Sequence, residues 1–392
     1  MDKNVVIIGA GQAGLTAAVA LRERGWKGEI HLLGEETHDP YQRPPLSKGY
    51  LAGKEGREDL RLRSRDALEQ DGITLWCNTF VEAVDRGAGQ VQLRDGRRIG
   101  FDTLIFATGS RPRSLRLPGH DLMGIHTVRT IEDADALHRD LELGGDTVFI
   151  GGGLLNLEVA IEARKIGNVT VLEMAPQILG RVLSRNTADA LASYHAEEGV
   201  EIRCGSHITS ILGEDRCVAG VELAGGEIIP AARVVVSIGA EACDELAKQA
   251  GLATDGGILV DNLLRTQDHR IFAIGDCAKY PNPFADAEMR VESVQNATDQ
   301  ARFIAAVLTG QSSDSYCAVP WFWSTQGERR LQIAGIAKPD DGARVVSQGD
   351  NGQLVVERVR NGTVVAVETI NAPGPHMKAR RSLAATGLIQ TP

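Results

Sequence analysis

The chain has 392 residues and a formal net charge of −10 at pH 7, with 43% hydrophobic and 24% charged residues. That length predicts two or three domains, and the composition is that of a globular protein; the acidic balance argues against general nucleic-acid binding. No apolar run approaches membrane-spanning length, and strand and turn residues fill the first ten positions, which predicts no membrane partner, no signal peptide and a cytoplasmic location. The six cysteines (Cys77, Cys204, Cys217, Cys243, Cys277, Cys317) stand apart with no Cys-x-x-Cys, so reduced thiols are expected rather than a disulfide frame or a metal site.

The first element is the strongest. Val5 to Ile8 reads as a buried parallel strand running into Gly9-Ala10-Gly11-Gln12-Ala13-Gly14. Gly9 makes the turn off the strand, Gly11 lets backbone approach a pyrophosphate, and Gly14 lets the next helix, Ala13 to about Arg24, pack close to the sheet. That helix points free N–H groups at phosphates. A strand Ile30 to Leu33 then leads to Glu35, at the spacing from which a carboxylate accepts hydrogen bonds from an adenosine ribose.

The proline-rich segment His38 to Lys48 is expected to be a rigid loop, because Pro44 and Pro45 forbid a helix through that point. A charged stretch runs from Lys54 to Arg65. Residues Ile73 to Ile99 alternate like a small antiparallel sheet, with a hairpin at Asp95-Gly96. Asp102-Thr103-Leu104-Ile105-Phe106-Ala107-Thr108-Gly109 reads as another buried strand, ending at a glycine.

The device then repeats. Thr147 to Ile150 leads to Gly151-Gly152-Gly153, a helix from about Leu154 to Ile166, and a strand from Val169 that ends at Glu173. Asn156 stands where the fingerprint has its third glycine, which predicts looser helix packing. An antiparallel section from Glu201 to Ile229 precedes Val234 to Gly239. A late strand, Arg270 onward, ends in Gly275-Asp276, followed by a helix from about Val294 to Leu308. From Trp321 the pattern is strand-like with turns at Asp340-Asp341-Gly342, Asp350-Asn351-Gly352 and Asn361-Gly362, and the tail from Pro373 is expected to be irregular at first.

The fold class expected is therefore α/β, with two Rossmann-like dinucleotide domains, the second inserted in the first, and a C-terminal α+β domain. Two such sites suit a flavin and a nicotinamide, between whose stacked rings hydride can pass. Asp276 accepts hydrogen bonds from a ribityl chain if its strand returns to the first fold, which puts FAD there; the blander role for Asp276 is a helix N-cap. Glu173 favours the 2′-hydroxyl of NADH over the 2′-phosphate of NADPH, with NADPH as the alternative.

The motifs Arg43-Pro44-Pro45-Leu46-Ser47-Lys48, Ala107-Thr108-Gly109-Ser110-Arg111-Pro112, Gly151 to Ala160, Gly275-Asp276 and Pro320-Trp321-Phe322-Trp323-Ser324 together resemble the FAD-dependent NADH:ferredoxin reductases, the group of putidaredoxin reductase and the reductase components of aromatic-ring dioxygenases. The resemblance implies the glutathione-reductase type of fold, with an FAD domain over 1–112 and 239–320, an NAD domain over 113–238 and a C-terminal domain over 321–392. It implies electron transfer from NADH through FAD to a two-iron, two-sulfur ferredoxin that feeds an oxygenase, in a monomer or weak homodimer. It places Ala13, Glu35, Lys48, Val81, Arg129, Asp276 and Val294 at positions that contact FAD, and Arg43 and Gly239 within cofactor-binding motifs. It pairs Lys48 with Glu158 near the flavin N5 and the nicotinamide, and sets Trp321 and Trp323 at the ferredoxin-facing edge. Departures from the group are Asn156, Thr325 and Gly327 after Trp323-Ser324, Gln295 for a proline, and Ala242-Cys243 for a Pro-Asn pair.

Residues 36–76 contain no cysteine, which excludes a thiolate relay beside the flavin. Docking of an acidic ferredoxin needs a basic face, for which the candidates are Arg57, Arg61, Arg63 and Arg65, then Arg329 and Arg330, then Lys378, Arg380 and Arg381. Other activities of the same scaffold are rubredoxin or monodehydroascorbate reduction and NADH oxidation. A binding role like that of apoptosis-inducing factor is the alternative of a different class.

Overall fold

The structure, a computed structural model, describes residues 3–387. The chain forms two compact units: Met1–Gln42, Glu58–Arg111 and Glu241–Trp321 make the first, and Arg43–Arg57, Pro112–Ala240 and Phe322–Pro392 the second.

In the first unit the apolar runs become parallel strands buried on both faces. Val5–Ile8, fully sequestered, pairs in parallel with Ile30–Leu33 on one side and Thr103–Phe106 on the other. The sheet order is Ile271–Ala273, Thr103–Phe106, Val5–Ile8, Ile30–Leu33, Ile73–Trp76. The helices Gln12–Glu23 and Val294–Leu308 pack together, and their buried alanines (Ala13, Ala17, Ala297, Ala301) allow the close approach. The small antiparallel sheet is real but shorter than expected. It comprises Val81–Asp85, Gln90–Leu93 and Arg98–Gly100, whereas Ile73–Trp76 joins the parallel sheet at its edge. Alternating polarity misleads here because an edge strand of a parallel sheet keeps partly open positions, as at Thr74 and Trp76.

An ion-pair knot also lies in this unit. Asp268 accepts from Arg86 at 3.3 Å and from Arg270 at 3.2 Å. Burial alone raises the Asp268 carboxyl, but hydrogen bonds from the Arg270 side chain and backbone and from Arg86 outweigh it and hold its pKa at about 2. The folded value lies below the unfolded one, so the stabilisation is complete above the unfolded pKa of about 4 and is lost as pH falls toward 2. Asp268→Asn is expected to cost about 2 kcal/mol at pH 7 and almost nothing near pH 2, as read by urea unfolding across that range.

The second unit repeats the parallel motif in the order Val200–Cys204, Val169–Glu173, Thr147–Ile150, Arg233–Val236, Ile125–His126. Val200–Cys204 is thus parallel to its neighbour, and the antiparallel section begins only at Ile208–Glu214. The stretch from Trp321 adds an antiparallel sheet in the order Trp321–Gln326, Arg329–Gly335, Thr363–Ile370, Gln353–Arg360, Gly342–Gly349. Inside it Glu368 accepts from Arg358 at 2.9 Å, from the Ser184 N–H at 2.8 Å and from the Ser184 and Thr187 hydroxyls at 2.5 Å each, tying the start of helix Arg185–Glu197 to the sheet.

Residues 43–57 belong to this second unit although the chain on either side belongs to the first. Specific bonds hold them there. Tyr50 donates to Asp135 at 2.6 Å, Arg57 pairs with the same carboxylate at 2.6 Å, and the Leu51 carbonyl meets His138 Nδ1 at 2.8 Å. Both partners, Asp135 and His138, lie on helix Ile131–Glu142, which starts from a Thr130/Asp133 capping box. The proline loop is not wholly irregular. Pro44–Ser47 forms a 3-10 turn, which tolerates proline in its first turn because those N–H groups need no partner. The same logic corrects the tail: Pro373–Gly387 is helical, with Pro373 and Pro375 inside its opening turn. Among the described residues no helix is long and apolar enough to cross a membrane.

Candidate functional site: two dinucleotide turns and a lysine on a buried glutamate

In the first unit the glycines earn their positions geometrically. Gly9 has φ +109°, and a Cβ there would lie 2.1 Å from the Ala107 carbonyl oxygen. A Cβ on Gly14 would lie 1.9 Å from the Gly9 oxygen, whereas at Gly11 it would meet nothing within 4 Å. The first two are required by packing of the protein on itself; Gly11 faces open space, where a ligand backbone can come close. Gly109 and Gly275 also take positive φ, and the Gly275 N–H donates to Gln300 at 2.7 Å. Asp276, in the 3-10 turn Gly275–Cys277, accepts from the Ser110 hydroxyl at 2.8 Å, and its carbonyl accepts from Arg290 at 2.8 Å. It caps no long helix, since none begins there. The strand before it pairs with Thr103–Phe106, so it does return to the first fold.

Glu35 lies exposed at the wall of a cavity of about 510 Å³, lined also by Asn78, Thr79, Phe80, Leu93, Arg94 and Asp95. The Arg94 guanidinium sits 3.8 Å over the Phe80 ring. Sequence reasoning gave Glu35 but none of these partners, which come from the hairpin and have no motif. An acid beside an aromatic face and an open glycine turn suit an adenosine nucleotide. Ala13 and Val81 are buried and Val294 half-buried in the same unit, while Ala107 and Thr108 follow the strand beside Gly9.

The second unit carries its own turn. Gly151 has φ +102°, and a Cβ there would lie 2.3 Å from the Ser237 oxygen; Gly153 precedes helix Leu154–Arg164 and Gly239 takes positive φ. Glu173 is already aimed, accepting from the Gly152 N–H at 2.6 Å and the Ala175 N–H at 2.8 Å. Asn156 corrects an expectation. Its side chain does not loosen the helix: wholly buried, it donates to the Ile150 carbonyl at 2.9 Å and the Gly151 carbonyl at 2.8 Å, stitching helix to strand. Two hydrogen bonds replace the close packing that glycine gives.

Lys48 and Glu158 meet within this unit. Lys48 Nζ lies 2.5 Å from Glu158 Oε2, which also accepts from the Ser47 hydroxyl at 2.6 Å, while Oε1 accepts from the Ser324 hydroxyl at 2.6 Å. Lys48 donates further to the Pro44 carbonyl at 3.1 Å. Glu158 is buried, and burial of a carboxylate is tolerated only with such a set of donors. Ser47 and Ser324 are partners that sequence reasoning missed. Arg43 donates to the Arg129 carbonyl at 2.6 Å, so both stand in the second unit with Lys48. Trp323 lies half-buried on strand Trp321–Gln326, where Ser324 and Gln326 take the fully buried face and the two tryptophans the other.

The arginine run beyond residue 56 is largely neutralised. Arg57 pairs with Asp135, Arg61 with Glu58 at 2.6 Å, Arg63 with Asp71 and Arg65 with Asp39 at 2.7 Å. Arg329 stacks 4.4 Å over Tyr194. Among the described residues no group of histidine, cysteine and acidic side chains could hold a metal ion.

The pyridine nucleotide-disulphide oxidoreductase family model matches residues 3–301, and a reductase C-terminal model matches 321–391. Rhodocoxin reductase of Rhodococcus erythropolis is 44% identical over 97% of this chain and 89% of its own length. A rubredoxin-NAD(+) reductase of Pseudomonas putida is 37% identical over 94% of this chain and 96% of its own. Among solved structures, the covalent putidaredoxin reductase–putidaredoxin complex superposes with a TM-score of 0.93 at 38% identity, covering 98% of this chain and 93% of that one. Matched along both dinucleotide turns and the C-terminal sheet, the chain belongs to the pyridine nucleotide-disulphide oxidoreductases, as a flavoprotein of the ferredoxin-reductase type that uses FAD and NADH.

Proposed function

We propose that the protein takes electrons from NADH and delivers them singly to a two-iron, two-sulfur ferredoxin that serves an oxygenase. The observation that carries this reading is the pair of half-buried Lys48 and buried Glu158, on the helix after the second glycine turn, with no cysteine anywhere from 36 to 76 to form a thiol relay. FAD supplies the change from two-electron to one-electron transfer, so the chain needs no side-chain nucleophile. Gly9, Gly11, Ala13, Gly14, Glu35, Val81, Ala107, Thr108, Gly109, Gly275, Asp276 and Val294 hold FAD, with Glu35 on the adenosine ribose and Asp276 on the ribityl chain. Gly151, Gly153, Asn156, Glu173 and Gly239 hold NADH. Lys48 supplies positive charge for an electron-rich reduced ring, and Glu158 keeps that lysine in place; Arg43 and Arg129 support the same segment.

Glu173 sets the nucleotide preference, because its carboxylate accepts from a 2′-hydroxyl and repels a 2′-phosphate. Glu173→Ser is expected to lower kcat/KM for NADH about tenfold and to leave that for NADPH unchanged or higher, as read by steady-state assay. Trp323 serves transfer to the partner, so Trp323→Ala slows ferredoxin reduction more than reduction of a small artificial acceptor.

The deciding experiment is NADH-driven reduction of a panel of ferredoxins, rubredoxin, monodehydroascorbate and oxygen. Preferred reduction of a two-iron ferredoxin, at a rate that falls with added salt, supports the reading. Preferred reduction of rubredoxin overturns the choice of partner, and slow turnover with every acceptor overturns the enzyme. The reading places the protein in the cytoplasm, where NADH is at hand, as a monomer or weak homodimer.

A further inference from the structure

Behind Glu158 runs a second line of buried polar groups with no part in the function described so far. Ser324 Oγ, which donates to Glu158, accepts from Gln326 Nε2 at 3.2 Å, and Gln326 Oε1 lies 2.8 Å from His195 Nε2. Ser324, Gln326 and His195 are wholly buried. Strand Trp321–Gln326 supplies two of them at alternate positions, and helix Arg185–Glu197 supplies the third.

The direction of every link follows from its last member. A carboxylate can only accept, so the Ser324 hydroxyl donates to it. The Ser324 lone pairs are then free to accept, and the Gln326 amide N–H takes them. That fixes the amide orientation and leaves its oxygen facing the ring, so His195 carries its proton on Nε2. His195 Nδ1 is buried with no hydrogen-bond partner, as suits the unprotonated nitrogen of a neutral ring. Burial lowers the His195 pKa; the Gln326 bond and the charge of Glu198, the other groups acting on it, oppose this without reversing it. Aligned donors polarise one another, so the chain aims its summed dipole at Glu158 Oε1. An amide in the middle cannot relay a proton, so the chain cannot conduct one.

We propose that His195, Gln326 and Ser324 are positioning residues that fix the Glu158 carboxylate so that its other oxygen is presented to Lys48. The inference rests on the role given above to the Lys48–Glu158 pair. A packing role alone is met by any side chain of similar volume; a donor chain is met only by side chains that can donate and accept in the same sense.

The test uses flavin-loaded protein with two readouts. In the first, without NADH, the acetylation rate of the Lys48 amine is compared by mass spectrometry with that of the other lysines. In the second, NADH-driven flavin reduction is followed by stopped flow. Ser324→Ala is expected to speed Lys48 acetylation about tenfold and slow flavin reduction by a similar factor, the loss of one charge-assisted bond. Gln326→Met, which keeps volume and removes the link, moves both in the same direction and serves if Ser324→Ala does not fold. Ser324→Thr and His195→Gln, which keep a donor in place, restore both toward wild type. Unchanged acetylation in both Ser324→Ala and Gln326→Met overturns the proposal, as does failure of Ser324→Thr to restore it. If Lys48→Met and Glu158→Gln reduce flavin at the wild-type rate, the role of the pair falls, while the acetylation result still judges the chain.

Discussion

Lys48→Met is expected to leave FAD bound and to slow NADH-driven flavin reduction by about a hundredfold or more, the usual cost of losing one preorganised charge beside a reacting centre. Methionine keeps the unbranched stem of lysine and removes only the ammonium. Glu158 keeps its two hydroxyl donors from Ser47 and Ser324, so the fold around it does not depend on the lysine. Anaerobic stopped-flow bleaching of the flavin band measures the step directly. Bleaching at the wild-type rate, with normal flavin content, removes Lys48 from the chemistry. Glu158→Gln should give a smaller loss, because the amide oxygen still accepts one bond.

Glu368→Ala is expected to destabilise the second unit by about 3–5 kcal/mol, through the mechanism of a buried charge left alone. The Glu368 side chain is 1% exposed and its partner Arg358 4% exposed. Removing the carboxylate leaves the guanidinium only the Lys338 and Asp341 carbonyls, takes the partner from the Ser184 N–H and leaves the Ser184 and Thr187 hydroxyls only each other, so the start of helix Arg185–Glu197 loses its tie to the sheet. The urea midpoint of that unit should fall accordingly. The double variant Glu368→Leu with Arg358→Met should recover much of the loss, since no charge then remains to be buried. A single variant as stable as wild type would mean that water reaches Arg358.

Both glycine turns, their strands and their terminal acids were legible in the sequence because they obey local rules: a buried apolar run, a backbone that must take positive φ, a carboxylate at fixed spacing. Gly9, Glu35, Gly151 and Glu173 could be named on that ground, and helix Val294–Leu308 at about those bounds. What escaped was decided by neighbours distant in sequence. Ile73–Trp76 and Val200–Cys204 look like parts of antiparallel sheets until the parallel strand beside them is known. The helix from Pro373 was hidden by prolines that read as breakers but stand where a helix tolerates them. Asn156 looked like a defect because a missing glycine predicts lost contact, and sequence cannot show that its amide recovers the contact by hydrogen bonding. Ser47 and Ser324 lie inside motifs and Gln326 and His195 outside them, but only three-dimensional proximity joins any of the four to Glu158. The arginines from 57 to 65 read as a basic face, yet each has an acid of its own.

The excursion 43–57 sets a limit on grafting. Anyone exchanging the stretch 112–240 of this protein with that of a relative would leave Lys48 behind with the recipient while Glu158 travelled with the donor's piece. The hybrid would face a mismatched Tyr50–Asp135 seam as well. A working chimera must carry this short stretch as a second insert, so the smallest exchangeable piece of the molecule is discontinuous in the gene.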